Sequence, residues 1–235
     1  MRYAIYFSPP DADPLSRLAA QWLGRNAFTD EPASQVQADG FDADEIRQLT
    51  DEPRRYGFHA TLKAPMELAS GCSEDELLAA FAAFAGETDA FDIPQIVLGQ
   101  LGAFFALVPA DRYDALQAFA AACVERFEPF RAPLSEADIA RRKPEKLSES
   151  ERANLMRWGY PYVFDDFRFH MTLTGQVPAE RQPPMRAALA AIFADLINRP
   201  LAVSHVSLFI EPERGAPFVM KSILPLRPLP QRKSG

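Results

Sequence analysis

Two short phrases in this chain are near copies of each other, Phe58-His59-Ala60-Thr61-Leu62 and Phe169-His170-Met171-Thr172-Leu173. The 235 residues contain three histidines, and two of them sit in these phrases. Imidazole titrates close to neutrality, so a pair of rings can take a proton from one oxygen and deliver one to another. A hydroxyl two residues beyond each ring can hold an oxygen on which charge builds. Such a set suits proton transfer at a phosphate and needs no metal. Either phrase alone would read as an ordinary strand, because Thr is a good strand former and a lone histidine is more often structural. Their repetition in matching contexts is what assigns them chemistry. His205, in His205-Val206-Ser207-Leu208, has no counterpart in the other half and is read as structural.

On a strand, side chains two apart share a face. His59, Thr61 and Lys63 then point one way, and Phe58, Ala60 and Leu62 the other. The same parity groups Arg168, His170, Thr172 and Thr174 against Phe169, Met171 and Leu173. The apolar faces belong against helices. Two polar faces meeting about a pseudo-twofold axis would build a cleft with a histidine, a threonine and a cation from each side.

The elements that must position these faces also repeat. Tyr3 to Phe7 reads as a strand, and a helix follows with Asp13 as N-cap, Pro14 in its first turn and Leu15, Leu18 and Trp22 on one stripe. Phe104 to Val108 again reads as a strand, with Tyr113, Leu116, Phe119, Cys123 and Phe127 at helical spacing behind it. After the first motif, Ser73 to Glu76 forms a capping box ahead of Leu77, Phe81 and Phe84, with Gly86 as the stop. After the second, Pro183-Pro184 opens a helix carrying Met185, Leu189 and Phe193. Strands at 93–99 and 201–210 follow these helices, and 218–224 closes the chain. The expected organisation is a single domain of two repeats forming two lobes, about 1–101 and 102–225, with a tail at 226–235.

Two insertions lack counterparts. Residues 25–53 are polar and acidic, with Asp42 to Glu45 capping a short helix through Ile46 and Leu49. Residues 130–162 are more basic, carrying Arg141-Arg142-Lys143-Pro144, a cap at Ser148 to Glu151 and then Gly159-Tyr160-Pro161-Tyr162. Long insertions of this kind serve as lids or binding loops, although a basic run can equally be a solvated face.

Composition narrows the partners. With 48% hydrophobic residues the chain can bury a large core. A net charge of −7 argues against a surface that coats long nucleic acid. Cys72 and Cys123 lack metal-ligand spacing and are read as ordinary thiols. Two distant histidines with no His or carboxylate at ligand spacing make a poor metal set, although Asp165 and Asp166 lie close enough in sequence to keep the question open. No metal or cofactor is expected. The N-terminal apolar run is too short for a signal peptide or membrane span, so a cytoplasmic address without membrane association is expected. Nothing in the sequence fixes the oligomeric state.

The paired His-x-Thr-Leu phrases in a duplicated chain resemble the two-histidine phosphoesterase superfamily. The longer phrases, Arg55 to Pro65 and Trp158 to Tyr162 leading into Phe167 to Gly175, resemble a branch encoded near carbon-phosphorus lyase genes and named for phosphonate metabolism. The resemblance runs over nearly the whole chain. It implies an α+β fold of mainly antiparallel sheets, helices outside and a central cleft. It also implies a metal-independent cyclic phosphodiesterase in which His59 and His170 act as base and acid while Thr61 and Thr172 hold the non-bridging oxygens. Lys63, Arg55, Tyr56, Arg142, Tyr160, Tyr162, Arg168 and Thr174, with Arg141 and Lys221 beside them, are the candidates to grip a small anionic substrate. A small sugar or nucleotide cyclic phosphate, such as 5-phosphoribosyl 1,2-cyclic phosphate, is the expected substrate class. Two alternatives are an enzyme acting on 2′,3′-cyclic or 2′,5′ RNA ends and a phosphometabolite-binding protein without turnover.

Overall fold

The computed structural model describes residues 1–228. Strand β1 (Arg2–Phe7) is buried along its whole length, as expected of a strand covered on both faces. Helix α1 (Pro14–Leu23) starts where the Asp13 carboxylate accepts the Leu15 amide, and ends at Gly24 in the left-handed conformation. The first insertion is a small ribbon, β2 (Arg25–Asn26) with β3 (Glu31–Pro32), followed by α2 (Ala43–Leu49), capped by Asp42, and α3 (Asp51–Tyr56). Strand β4 (Ala60–Met66) carries the first motif. Helix α4 (Glu74–Glu87) opens on the Ser73–Glu76 capping box and runs through Gly86, stopping at Thr88, whose amide and hydroxyl both donate to the Phe84 carbonyl. Strand β5 (Phe91–Leu101) completes the first half.

The second half repeats the order with β6 (Phe104–Pro109) and α5 (Asp114–Phe127). The basic insertion contributes α6 (Glu136–Arg141) and α7 (Glu149–Trp158), the latter opened by a second capping box, Ser148 with Glu151. Strand β7 (Met171–Thr172) carries the second motif, and α8 (Gln182–Ile192), β8 (Arg199–Val203), β9 (His205–Glu211) and β10 (Val219–Pro225) follow. The strand read at 201–210 is thus two strands, broken at Ser204, and the break sends them to different sheets.

Those sheets are four-stranded and antiparallel, ordered β10-β9-β1-β4 and β7-β6-β5-β8. The fold class is α+β, as the sequence implied. The lobes, however, do not coincide with the sequence halves: β9 and β10 of the second half pair beside β1, while β5 of the first half pairs beside β6. Each half lends strands to the other's sheet, because the strand after each motif helix finds its hydrogen-bonding edge on the opposite repeat.

The apolar faces beneath the two motifs share one core. Phe7 and Phe169 meet with ring centroids 5.8 Å apart, and the buried Trp22 indole donates to the Leu173 carbonyl at 2.8 Å. Burying each such aromatic ring is worth about 1.5–3 kcal/mol, so the motifs stand on a stiff floor. The segment expected to be a tail begins as packed chain: the Leu226 amide donates to Ser204 and the Arg227 amide to Thr88, both at 2.8 Å. The remainder of that tail, 229–235, lies outside the described residues. Among the described residues, no helix is long and apolar enough to cross a membrane.

Candidate active site

His59 and His170 each stand one residue ahead of their strands and are held by the same device. The His59 Nδ1 lies 2.8 Å from the Gly57 carbonyl, and the His170 Nδ1 lies 2.7 Å from the Arg168 carbonyl, in both cases two residues back. A carbonyl can only accept, so Nδ1 carries the hydrogen and Nε2 keeps the lone pair of the neutral ring. Both rings line one cavity of about 560 Å³. Gly57 is required where it stands. Its φ of 77° closes α3, and a Cβ there would come within 2.3 Å of the Ala27 side chain. The turn it makes aims its carbonyl at His59.

The surroundings differ. The His59 ring stacks on Tyr6 at 3.8 Å and 24°, and its Nε2 lies 3.2 Å from the Thr61 hydroxyl. Burial drives its pKa down to about 4 against the pull of the Gly57 carbonyl, and nearby His170 lowers it further. His170 lies beside Phe104, ring centroids 5.9 Å apart; burial lowers its pKa too, opposed by the Arg168 carbonyl. Thr61 and Thr172 both face the cavity, with Tyr6 opposite the first and Ala106 opposite the second in the sheet registers.

Of the other candidates, Arg55, Tyr56, Arg141, Arg142, Tyr160 and Thr174 line the cavity. Arg55 donates to Glu211 at 2.6 Å and lies over the Tyr56 ring, which stacks on Phe218. Arg142 lies 4.9 Å over the Tyr160 ring. The basic insertion therefore forms one wall of the cleft. Thr174 is committed elsewhere, because its hydroxyl accepts the Phe105 amide at 3.0 Å and donates to the Gly175 carbonyl at 2.9 Å.

Four candidates fall outside the cavity. Lys63 is buried under α5, where its ammonium pairs with Glu128 and donates to the Val124 carbonyl. The cause is a β-bulge: Tyr6 faces Thr61 but Ile5 faces Lys63, so β4 carries an extra residue and its parity reverses after Thr61. Ala64 and Pro65 reach the cavity instead. Arg168 is exposed and contributes its carbonyl, not its guanidinium. Tyr162 turns outward, edge-on to Tyr160, and Lys221 pairs with Glu74 at 2.8 Å.

Sequence reasoning missed Tyr6, Phe104 and Arg2, all of which line the cavity. Arg2 pairs with Glu211, a carboxylate shielded from solvent that also takes Arg55 and the Gly215 amide. Burial alone would raise the Glu211 pKa, but the Arg2 guanidinium, the Gly215 amide and the Arg55 guanidinium outweigh it and bring it to about 2. Asp166 is taken by Ser150 and Asn154, and Asp165 reaches toward Arg112. Among the described residues, no group of three or more His, Cys, Asp or Glu side chains is placed to hold a metal ion. His205 opens β9 with its Nδ1 2.9 Å from the Ser204 hydroxyl, outside the cleft.

Among solved structures, the chain is similar to TT0787 of Thermus thermophilus, at 15% identity over 97% of this chain and 99% of that one, with a TM-score of 0.45. It is also similar to a structure described as a phosphoesterase (14%, 96% and 98%, TM-score 0.41). A third is E. coli LigT complexed with 3′-AMP (12%, 96% and 97%, TM-score 0.40). Among curated proteins it is 37% identical over 237 residues to the ribose 1,5-bisphosphate phosphokinase PhnN of Janthinobacterium sp. (strain Marseille), covering 99% of this chain and 52% of that protein. It is 35% identical over 219 residues to the protein of the same name from Laribacter hongkongensis, covering 93% and 50%. The chain thus spans about half the length of the curated relatives it matches. A family model described as a protein of unknown function, DUF1045, matches residues 61–219, a stretch that takes in Thr61, His170 and Thr172, and the chain belongs to that family.

Proposed function

We propose that this protein is a metal-independent phosphoesterase that opens a small cyclic phosphodiester by hydrolysis. The observation that carries the reading is the pair of imidazoles lining one cavity, each with Nδ1 tied to a carbonyl two residues back and the lone pair therefore on Nε2. One ring accepts a proton from water as its oxygen attacks phosphorus, while the other gives a proton to the sugar oxygen as the P–O bond breaks. The two threonine hydroxyls steady the non-bridging oxygens. Burial keeps the His59 ring unprotonated at neutral pH, the state in which the base must start. His170 then serves as the acid. It takes up its proton with the anionic substrate, whose charge offsets the burial that lowers its pKa in the empty cleft.

For the substrate, we favour 5-phosphoribosyl 1,2-cyclic phosphate. Adding water across its P–O2 bond leaves the phosphate on C1 and gives ribose 1,5-bisphosphate, the compound in the name of the longer relatives. That relation supports a role in phosphonate catabolism, with one reaction supplying the next. The free thiols Cys72 and Cys123 suit a reducing cytoplasm.

The test is turnover of a panel in excess EDTA: ribose 1,2-cyclic phosphate with and without a 5-phosphate, nucleoside 2′,3′-cyclic phosphates and short RNA ends. Hydrolysis of the 1,2-cyclic sugar that survives chelation is the expected result. Preference for RNA ends would transfer the assignment to RNA processing, and a folded protein that turns over none of them would be a binder.

A further inference from the structure

Beside the cleft lies a smaller recess of about 100 Å³, and the two share Arg2, Pro65, Arg141 and Arg142 as a common wall. The charge at this junction is not balanced. Arg141 and Arg214 are matched by Asp138 and Glu67. Arg2 and Arg55, by contrast, share the single carboxylate of Glu211. Arg142 has no carboxylate partner among the described residues and rests on the Tyr160 ring. At the shared wall positive charge is therefore in excess, with Glu52 a further carboxylate among the cleft-lining residues, in a chain whose net charge is −7. A cationic concavity in an acidic protein concentrates small anions at that one place.

Arg142 is also held in position. It caps α6 by donating its amide to the Ala140 and Ile139 carbonyls, and the next residue, Lys143, adopts the left-handed conformation at φ 50°. A non-glycine residue keeps such a conformation only where its surroundings over-determine it. The insertion thus presents one unneutralised guanidinium to the cleft at a fixed place.

Resting on the phosphoesterase reading, we propose that this junction binds a second phosphate of the substrate, so that the site selects cyclic phosphates that also carry a phosphomonoester. Arg142 is the specificity-determining contact, with Arg2 beside it. The scissile phosphate lies between the histidines and the second one at the wall shared with the recess.

The test is calorimetric binding of ribose 1,5-bisphosphate and ribose 1-phosphate to the wild type, Arg142→Gln and Arg142→Lys, none of which requires turnover. The wild type should bind the bisphosphate at least about 10-fold more tightly. Arg142→Gln should reduce that ratio by about 10-fold, and Arg142→Lys should restore part of it. Equal affinities in the wild type, or a ratio untouched by Arg142→Gln in a protein that melts normally, would overturn the proposal. Should Arg142→Gln not fold, the wild-type ratio and Arg142→Lys still decide. A preserved ratio with no hydrolysis of any cyclic phosphate would sink the hydrolase and leave the second-phosphate site standing.

Discussion

Around His59 the Tyr6 ring lies face-on at 3.8 Å, with Tyr56 and Phe209 beyond it at 6.1 and 6.3 Å; around His170 the nearest aromatic is Phe104 at 5.9 Å. The largest part of the difference lies at one register position, where β1 places Tyr6 opposite Thr61 and β6 places Ala106 opposite Thr172. The backbone device that orients the two rings is the same, and the packing around them is not. Duplication supplies two equal proton carriers, and a base and an acid must differ. The stacked Tyr6 ring is the clearest packing difference between the two.

The largest expected effect tests whether both rings are needed. His59→Ala and His170→Ala should each lower kcat by about 10²–10⁴-fold with an unchanged melting curve; a loss confined to one of them would break the two-carrier scheme. Next come the hydroxyls. Thr61→Val and Thr172→Val should each cost about 10-fold in kcat/KM, corresponding to one hydrogen bond to a charged oxygen.

The asymmetry itself is read by titration. In the empty protein the His59 ring signals should move at about pH 4, below those of His170, and Tyr6→Leu should shift the His59 midpoint upward. Both folded-state values lie below the ordinary 6.5, so the unfolded chain binds more protons there. Stability is therefore full above about 6.5 and falls as pH drops toward 4. A melting temperature that stays flat from about pH 7 to 4.5 would contradict this. The smallest effect is expected at Lys63. Lys63→Met should lower stability by about 1–3 kcal/mol by unpairing Glu128 from one of its two cations, while catalysis by the folded protein stays near wild type. A large loss of kcat would return Lys63 to the cleft.

Local signals in the sequence marked the helices well. Asp13, Asp42, Ser73 and Ser148 all cap the helices they precede, because a cap needs only residues within one turn. The two motifs were legible by repetition. Lys63 was misplaced because strand parity holds only until a bulge, and the bulge depends on how β1 pairs with β4. Tyr6 was read only as part of the strand Tyr3 to Phe7, where it alternates with Ile5 and Phe7. Yet that alternation was itself a signal, since it puts a polar-tipped ring on the opposite face, where Tyr6 joins the separate cluster of Ala4, Ala27, Phe209 and Phe218. Arg2 and Glu211 lie at opposite ends of the described chain, and no local pattern connects them.

The exchange of strands between the two sheets makes the cleft a property of the finished polypeptide. A nascent chain that has emerged as far as β5 has His59 and its threonine, but β1 still lacks β9 on one side and β5 has no β6 to pair with. Cleavage at the Gly102 turn would yield two fragments with one motif histidine apiece, each exposing an edge that only the other can cover. Neither should turn over substrate alone, and mixing them should restore what neither possesses.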